Sequence, residues 1–249
     1  MVQGGRKRHC STVGKIASGP RAAVVLALVS FADLPVAAAA PANIVCDRIL
    51  ENFAGSKVGE FPARWRTKEA SEMAAAKRSK TYLVERDGRR KVLHAVYRDK
   101  AFTIGRKIQG WELAEYPILQ FQWKAVSLPR GGNEDSMSKN DCAASVYAFW
   151  DIGFPFYVNS TKYTWSSSLS KGTQIKKRLG HDFVLVSESG TANLSKWQTV
   201  QVNVKADYER LFGKTPAPNP SGIAVLTDAD ATESMAEAYY ADFRLCRMR

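Results

Sequence analysis

Apolar and polar residues alternate strictly along Leu119-Gln120-Phe121-Gln122-Trp123-Lys124. A period of two turns one face of a strand to a core and the other to water, whereas a helix needs a period of 3.6. Val200-Gln201-Val202-Asn203-Val204 repeats the pattern. Residues 81–86 and 89–96 flank Asp87-Gly88, a dipeptide favoured at the centre of a tight hairpin because both central residues need positive φ. Residues 145–150 and 183–187 are apolar runs that read as buried strands, and residues 222–226 and 239–246 complete the set. Short helices are predicted over 206–212, stopped by Gly213, and over 71–77, capped by Ser71. Two polar stretches, 129–140 and 166–178, read as long loops. This pattern predicts an all-β fold, a single antiparallel β-sandwich of jelly-roll type with one or two short helices.

The first 39 residues read as an export signal. Arg6, Lys7, Arg8, Lys15 and Arg21 precede an apolar run over 22–31, and Ala37-Ala38-Ala39 offers the small-x-small pattern that signal peptidase cleaves. Cleavage is expected after Ala39, with Ala42 as the runner-up; Pro41 disfavours a cut after Ala40. The run is too short for a transmembrane anchor, and Asp33 and Pro35 interrupt its tail. Asn43-Ile44-Val45 before Cys46 lacks the small residue that lipid attachment requires. The expected organisation is a signal peptide over 1–39 and one β-sandwich domain over 40–249, periplasmic or secreted. The leader takes five of the 36 Lys and Arg residues and one of the 24 Asp and Glu residues, leaving a net charge of about +8. An exported protein rarely meets nucleic acid, so such a surface points to anionic envelope polymers or lipid headgroups, with a plain solvated surface as the simpler reading.

Cys46, Cys142 and Cys246 remain after cleavage. Cys46 and Cys246 sit near the two ends of the mature chain, and a disulfide between them requires the terminal strands to be neighbours. Cys142 precedes an apolar strand and is expected to be a small buried residue. No Cys or His spacing fits zinc. Ser166-Ser167-Ser168 lacks a nucleophile elbow, and Gly131-Gly132 lacks the partners of a phosphate loop.

Three sets of residues carry candidate chemistry. In Leu226-Thr227-Asp228-Ala229-Asp230-Ala231-Thr232-Glu233-Ser234, the oxygens of Asp228, Asp230 and Glu233 are spaced to hold a structural calcium. A helix–loop–helix calcium loop is excluded, since the sixth position from Asp228 is Glu233 rather than Gly and the twelfth is Tyr239 rather than Glu. The same carboxylates could serve as a glycosidase pair, but a polar turn at a strand end is the favoured reading, because Asp and Thr bond nearby backbone N–H groups. Asp141, before the strand of 146–150, either contacts a ligand or satisfies loop donors, and the loop role is favoured. Among the aromatics, Tyr157, Tyr163 and Trp165 flank a Ser-rich loop and are taken as a ligand-binding rim, while Trp123 and Trp197 are assigned to the core.

Several motifs, taken in order, resemble the bacterial family called domain of unknown function 3047. They include Phe53, Gly59, Phe61-Pro62 and Trp65; Tyr116-Pro117-Ile118 leading into Leu119 to Lys124; Asn140-Asp141-Cys142-Ala143-Ala144-Ser145-Val146-Tyr147; Tyr163-Thr164-Trp165; Gly172-Thr173; Trp197; Asp207-Tyr208; Phe212-Gly213; and Thr227 to Ser234 before Ala238-Tyr239-Tyr240-Ala241-Asp242-Phe243. Where relatives read Asp-Asp with an Arg four residues on, this chain has Asn140-Asp141 and Ser145, and Ala229 and Ala231 replace polar residues. The resemblance implies an exported or envelope-associated β-sandwich and supplies no reaction. The expected function is binding of a glycan or other cell-envelope polymer by a monomer, with a polysaccharide-acting enzyme and a structural envelope protein as alternatives.

Overall fold

A computed structural model describes residues 43–151 and 158–249, so the leader and Tyr157 lie outside the described residues. These form thirteen strands in two packed sheets, a β-sandwich of jelly-roll type. One sheet contains β1 (Ile44–Glu51), β3 (Tyr82–Asp87), β4 (Arg90–Val96), β6 (Ile118–Ser127), β11 (Gln198–Asn203) and β13 (Glu237–Met248). Its order is β11-β6-β13-β4-β3, and β1 also pairs with β13. The other sheet contains β2 (Arg66–Thr67), β5 (Ile104–Lys107), β7 (Cys142–Asp151), β8 (Val158–Ser166), β9 (Gln174–Lys177), β10 (Asp182–Ser189) and β12 (Gly222–Asp228). Its order is β2-β5-β12-β7-β8-β10-β9. Pairing is antiparallel except between β8 and β10, so the sandwich is mixed at that one place.

The core fills the space between the sheets. From the six-stranded sheet, the odd residues of β6 (Leu119, Phe121, Trp123) point inward with Tyr240, Phe243 and Leu245. They meet Ala144, Val146, Ala148 and Trp150 of β7, Tyr163 and Trp165 of β8, and Ile223 and Val225 of β12. Trp123 and Trp165 bridge the sheets with ring centroids 5.9 Å apart. Burying such rings gives each about 150–250 Å² of contact. Their polar tips still find partners: Tyr240 spans the core to take the Ser145 N–H at 3.2 Å and to donate to the Leu226 carbonyl at 2.8 Å. A second helix, α2 (Val204–Phe212), buries Tyr208 against Trp150. Asn203 caps it by accepting from the Ala206 N–H, and Gly213 ends it at φ 65°.

β1 lies beside β13, and a Cys46–Cys246 disulfide joins them. Cys142 is free and buried. No helix among the described residues is long and apolar enough to cross a membrane.

Three local expectations shift. The hairpin turn sits one residue later than predicted: Asp87 pairs with Arg90, and Gly88, at φ 61°, takes the first central position. Asp87 is drawn into the ladder by its bond to the Arg90 guanidinium. Helix α1 runs Met73–Ser79 without a Ser71 cap, because a 3₁₀ turn over Ala70–Glu72 precedes it. Trp197 is not core. It lies half-buried on the outer face of the six-stranded sheet, its Nε1 donating to Asp87 and the Arg90 guanidinium 4.3 Å above its ring.

Candidate functional site

Because β7 and β8 run through the middle of the seven-stranded sheet, each presents one set of side chains to the core and one to the sheet's outer face. On β7 the outer set is Ser145, Tyr147 and Phe149; on β8 it is Ser160, Lys162 and Thr164, paired opposite them. Tyr163 and Trp165 have the other parity. They are 1% and 0% exposed, in the core. The Tyr163 hydroxyl donates to Asp207 at 2.9 Å and Trp165 Nε1 donates to the Gly190 carbonyl at 3.0 Å. The expected rim of Tyr163 and Trp165 is therefore corrected: the rings that face outward come from β7.

A loop closes one end of this outer face. Glu134, fully buried, accepts hydrogen bonds from Thr164 and Ser166 of β8. Ser167 and Ser168 donate to the Pro129 and Gly132 carbonyls of the same loop. Ser145, Lys162 and Thr164 are thereby covered. Burial opposes the charge on Lys162, but Cys142, Tyr147 and Glu134 act in the opposite sense and hold its ammonium protonated. Its Nζ lies 5.8 Å from the centre of the Tyr147 ring.

Beyond the covered end the face is open, as a groove of about 1360 Å³. Tyr147 and Phe149 form its aromatic floor, with Ser160 and Asp182 on one side and Gly105 and Ala224 on the other. Small residues make this floor possible. A Cβ on Gly222 would stand 2.7 Å from Phe149 Cζ and 2.3 Å from the Arg106 carbonyl oxygen. A Cβ on Gly105 would meet Ala224 Cβ at 3.2 Å. Polar groups surround the rings in fixed positions. Ser160 donates to Asp182, which also pairs with Arg178. Lys107 pairs with Asp151 at 2.9 Å, and Arg106 with the buried Glu51 at 2.7 Å. An open groove lined by two aromatic rings and a few oriented polar groups suits a ligand with both apolar faces and hydroxyls.

The predicted carboxylates converge elsewhere. β12 pairs with β7 so that Asp228 lies opposite Cys142, and this brings Asp141 to it across the chain. Asp141, Asp228 and Asp230 each offer an oxygen, all within 4.8 Å of one another. Glu233 is not part of that group; it is exposed, at φ 47°. Asp141 is fully buried and accepts the Ala231 and Thr232 N–H groups at 3.2 and 2.6 Å, which is the loop-holding role. The Asp230 N–H donates to Asp228 at 3.2 Å. Burial, with the Asp230 and Asp141 carboxylates adding to it, pushes the Asp228 carboxyl up to about 7. The donor set of three hard oxygens fits calcium in kind.

Tyr147, not among the aromatics expected at a rim, is one of the two rings that face the groove. The signal was there in the alternation of Ser145, Tyr147 and Phe149 against Val146, Ala148 and Trp150.

None of the curated proteins matches the chain in sequence. Among solved structures, the chain is similar to a family 11 carbohydrate-binding module from Clostridium thermocellum in complex with a β-1,3-1,4-mixed-linked tetrasaccharide. That match has 10% identity, covers 80% of this chain and 94% of that one, and has a TM-score of 0.40. It is also similar to endoglucanase 3 of Trichoderma harzianum, from family GH12, at 9% identity over 85% of this chain and 100% of that one, with a TM-score of 0.39. A third is SGBP-B from a xyloglucan utilization locus of Bacteroides uniformis, at 13% identity, 80% and 49% coverage, and a TM-score of 0.32. Residues 63–244, every strand but β1 and the end of β13, match the family described as "Protein of unknown function (DUF3047)", and the chain belongs to that family.

Proposed function

We propose that the protein binds a glycan of the cell envelope along the groove of the seven-stranded sheet. The observation that carries this is the aromatic floor of Tyr147 and Phe149 in an open groove, flanked by hydroxyl, carboxylate and guanidinium groups held in place by one another. Sugar rings stack on such rings through their C–H faces while their hydroxyls bond to the polar walls. Export fits this reading: the basic, apolar leader over 1–39 would deliver residues 40–249 to the periplasm or beyond, where the Cys46–Cys246 bond persists. The test is affinity electrophoresis of residues 40–249 through gels containing neutral and acidic polysaccharides. The wild type is retarded by at least one polymer; Tyr147→Ala, with an unchanged circular dichroism spectrum, is not. Absence of retardation on every polymer overturns the reading.

A second reading rests on Asp228. A carboxyl that titrates near 7 suits a general acid for polysaccharide cleavage. Release of reducing ends by the wild type and not by Asp228→Asn would establish it; no release from the polymers that bind would dismiss it.

A further inference from the structure

Along Ala63-Arg64-Trp65-Arg66-Thr67 the side chains alternate, and the inward ones are anchored. Trp65 is fully buried and its Nε1 donates to Glu51 at 3.1 Å. Thr67 is buried and donates to the Glu69 carbonyl at 2.7 Å. Arg64 and Arg66 are the exposed members, and both line the groove together with Tyr147 and Phe149. Arg64 stands at φ 66°, in the left-handed region that a side chain of its size rarely takes. Strain of this kind persists where the surroundings over-determine it; here the buried Trp65 next to it anchors the backbone.

The charges of the groove do not balance. Arg106, Lys107 and Arg178 are matched by Glu51, Asp151 and Asp182. Arg64, Arg66 and Lys68 have no acidic side chain within ion-pair distance among the described residues. Arg66 holds only the carbonyl of Trp65. Arg48 is a fourth lining cation without an acidic partner; it holds the Gly110 and Gln109 carbonyls. Against these four cations the groove sets one lining carboxylate without an ion pair, Glu69. Three of the four, Arg64, Arg66 and Lys68, lie on one short segment of the lining that also holds Tyr147 and Phe149. A polyanion alone would need no floor, and a neutral glycan would need no wall of unmatched guanidinium groups. Guanidinium forks match carboxylates in a planar, paired geometry.

We propose that the groove takes an acidic polysaccharide whose uronate rings lie on Tyr147 and Phe149, with their carboxylates against Arg64 and Arg66. This rests on the glycan reading above and names the class of glycan.

The probes are polygalacturonate, alginate and hyaluronan, the carboxyl-reduced form of whichever binds, neutral mixed-linkage β-glucan, and dextran sulfate. Isothermal titration with residues 40–249 measures each. The expected result is binding to at least one uronate polymer, weakened tenfold or more by carboxyl reduction and by the double variant Arg64→Glu, Arg66→Glu. Both arginines are exposed, and Arg64→Gln, Arg66→Gln serves as a milder pair if the charge reversal disturbs folding. Equal binding to the carboxyl-reduced polymer or to neutral glucan overturns this inference and leaves the glycan reading standing. Dextran sulfate binding as tightly as the uronate polymer and undiminished in Tyr147→Ala also overturns it, since charge alone would then suffice. No binding to any of these polymers overturns both.

Discussion

Replacing Asp228 by Asn should make the protein more stable above about pH 4, by an amount that grows until about pH 7. In the folded chain the Asp228 carboxyl titrates near 7 instead of near 3.8, first because it is buried and then because Asp230 and Asp141 stand beside it. Its folded pKa is raised, so the folded state holds a proton that the unfolded state has released over the interval between those two values. The stabilisation is full below the lower value and is lost as pH climbs through about 7. At about 1.4 kcal/mol per pH unit, the undiscounted effect is about 4 kcal/mol. Water reaching a half-buried carboxyl reduces this to about 1–3 kcal/mol. Asparagine keeps an oxygen to accept the Asp230 N–H and cannot ionise. Urea unfolding in a chelator at pH 5 and pH 8 should therefore show the advantage of Asp228→Asn growing by about 1–2 kcal/mol, the equivalent in thermal unfolding of several degrees for a domain of this size. An advantage that does not change with pH, or a variant less stable at pH 8, would refute the placement of a strained carboxyl here. Millimolar calcium adds a second arm. If the trio holds the cation, calcium raises the wild-type midpoint at pH 8 and leaves that of Asp228→Asn where it was.

Three further outcomes follow from the packing. Replacing Cys46 and Cys246 by Ser opens a loop of sequence separation 200 and should cost about 5 kcal/mol on the chain-entropy account, read as a lower urea midpoint. Glu134→Ala removes the buried acceptor of Thr164 and Ser166 and a counter-charge of Lys162; a loss of about 3 kcal/mol is expected, with faster amide exchange over residues 128–141. Gly222→Ala places a methyl group 2.3 Å from a backbone oxygen that cannot move aside, so overpacking should cost about 1–3 kcal/mol; a variant as stable as the wild type would show that Phe149 does not hold its position.

Much of the sandwich was legible because its strands have one wet face. Residues 119–124 alternate cleanly, and β6 does face the core with Leu119, Phe121 and Trp123. The end-to-end disulfide was legible because two cysteines stood near the ends with a third beside an apolar strand. The groove was not. In β8 nearly every residue is buried, since the core covers one side and the Glu134 loop part of the other. Where both faces are covered, the period-two signal vanishes, so the sequence alone does not show that Tyr163 and Trp165 of β8 face the core. The carboxylate trio was half legible. Asp228 and Asp230 were visible as neighbours, but Asp141 joins them only through the pairing of β12 with β7, and Glu233 leaves the group because its backbone turns left-handed. Arg64 and Arg66 gave no sign, because the alternation around Trp65 extends over too few residues to register as a strand.

The pairing of β1 with β13 also decides how the domain responds to being pulled. Ile44 lies opposite Met248, and the Arg249 N–H reaches the Asn43 carbonyl at 2.9 Å, so both ends leave the sandwich at one corner. Tension applied there would peel two antiparallel strands apart one rung at a time, the weakest way to load a sheet. The Cys46–Cys246 bond stands two residues into that seam. Peeling would stop at it, and the force would then pass from one end to the other through a covalent bridge. The groove and both sheets would bear none of it.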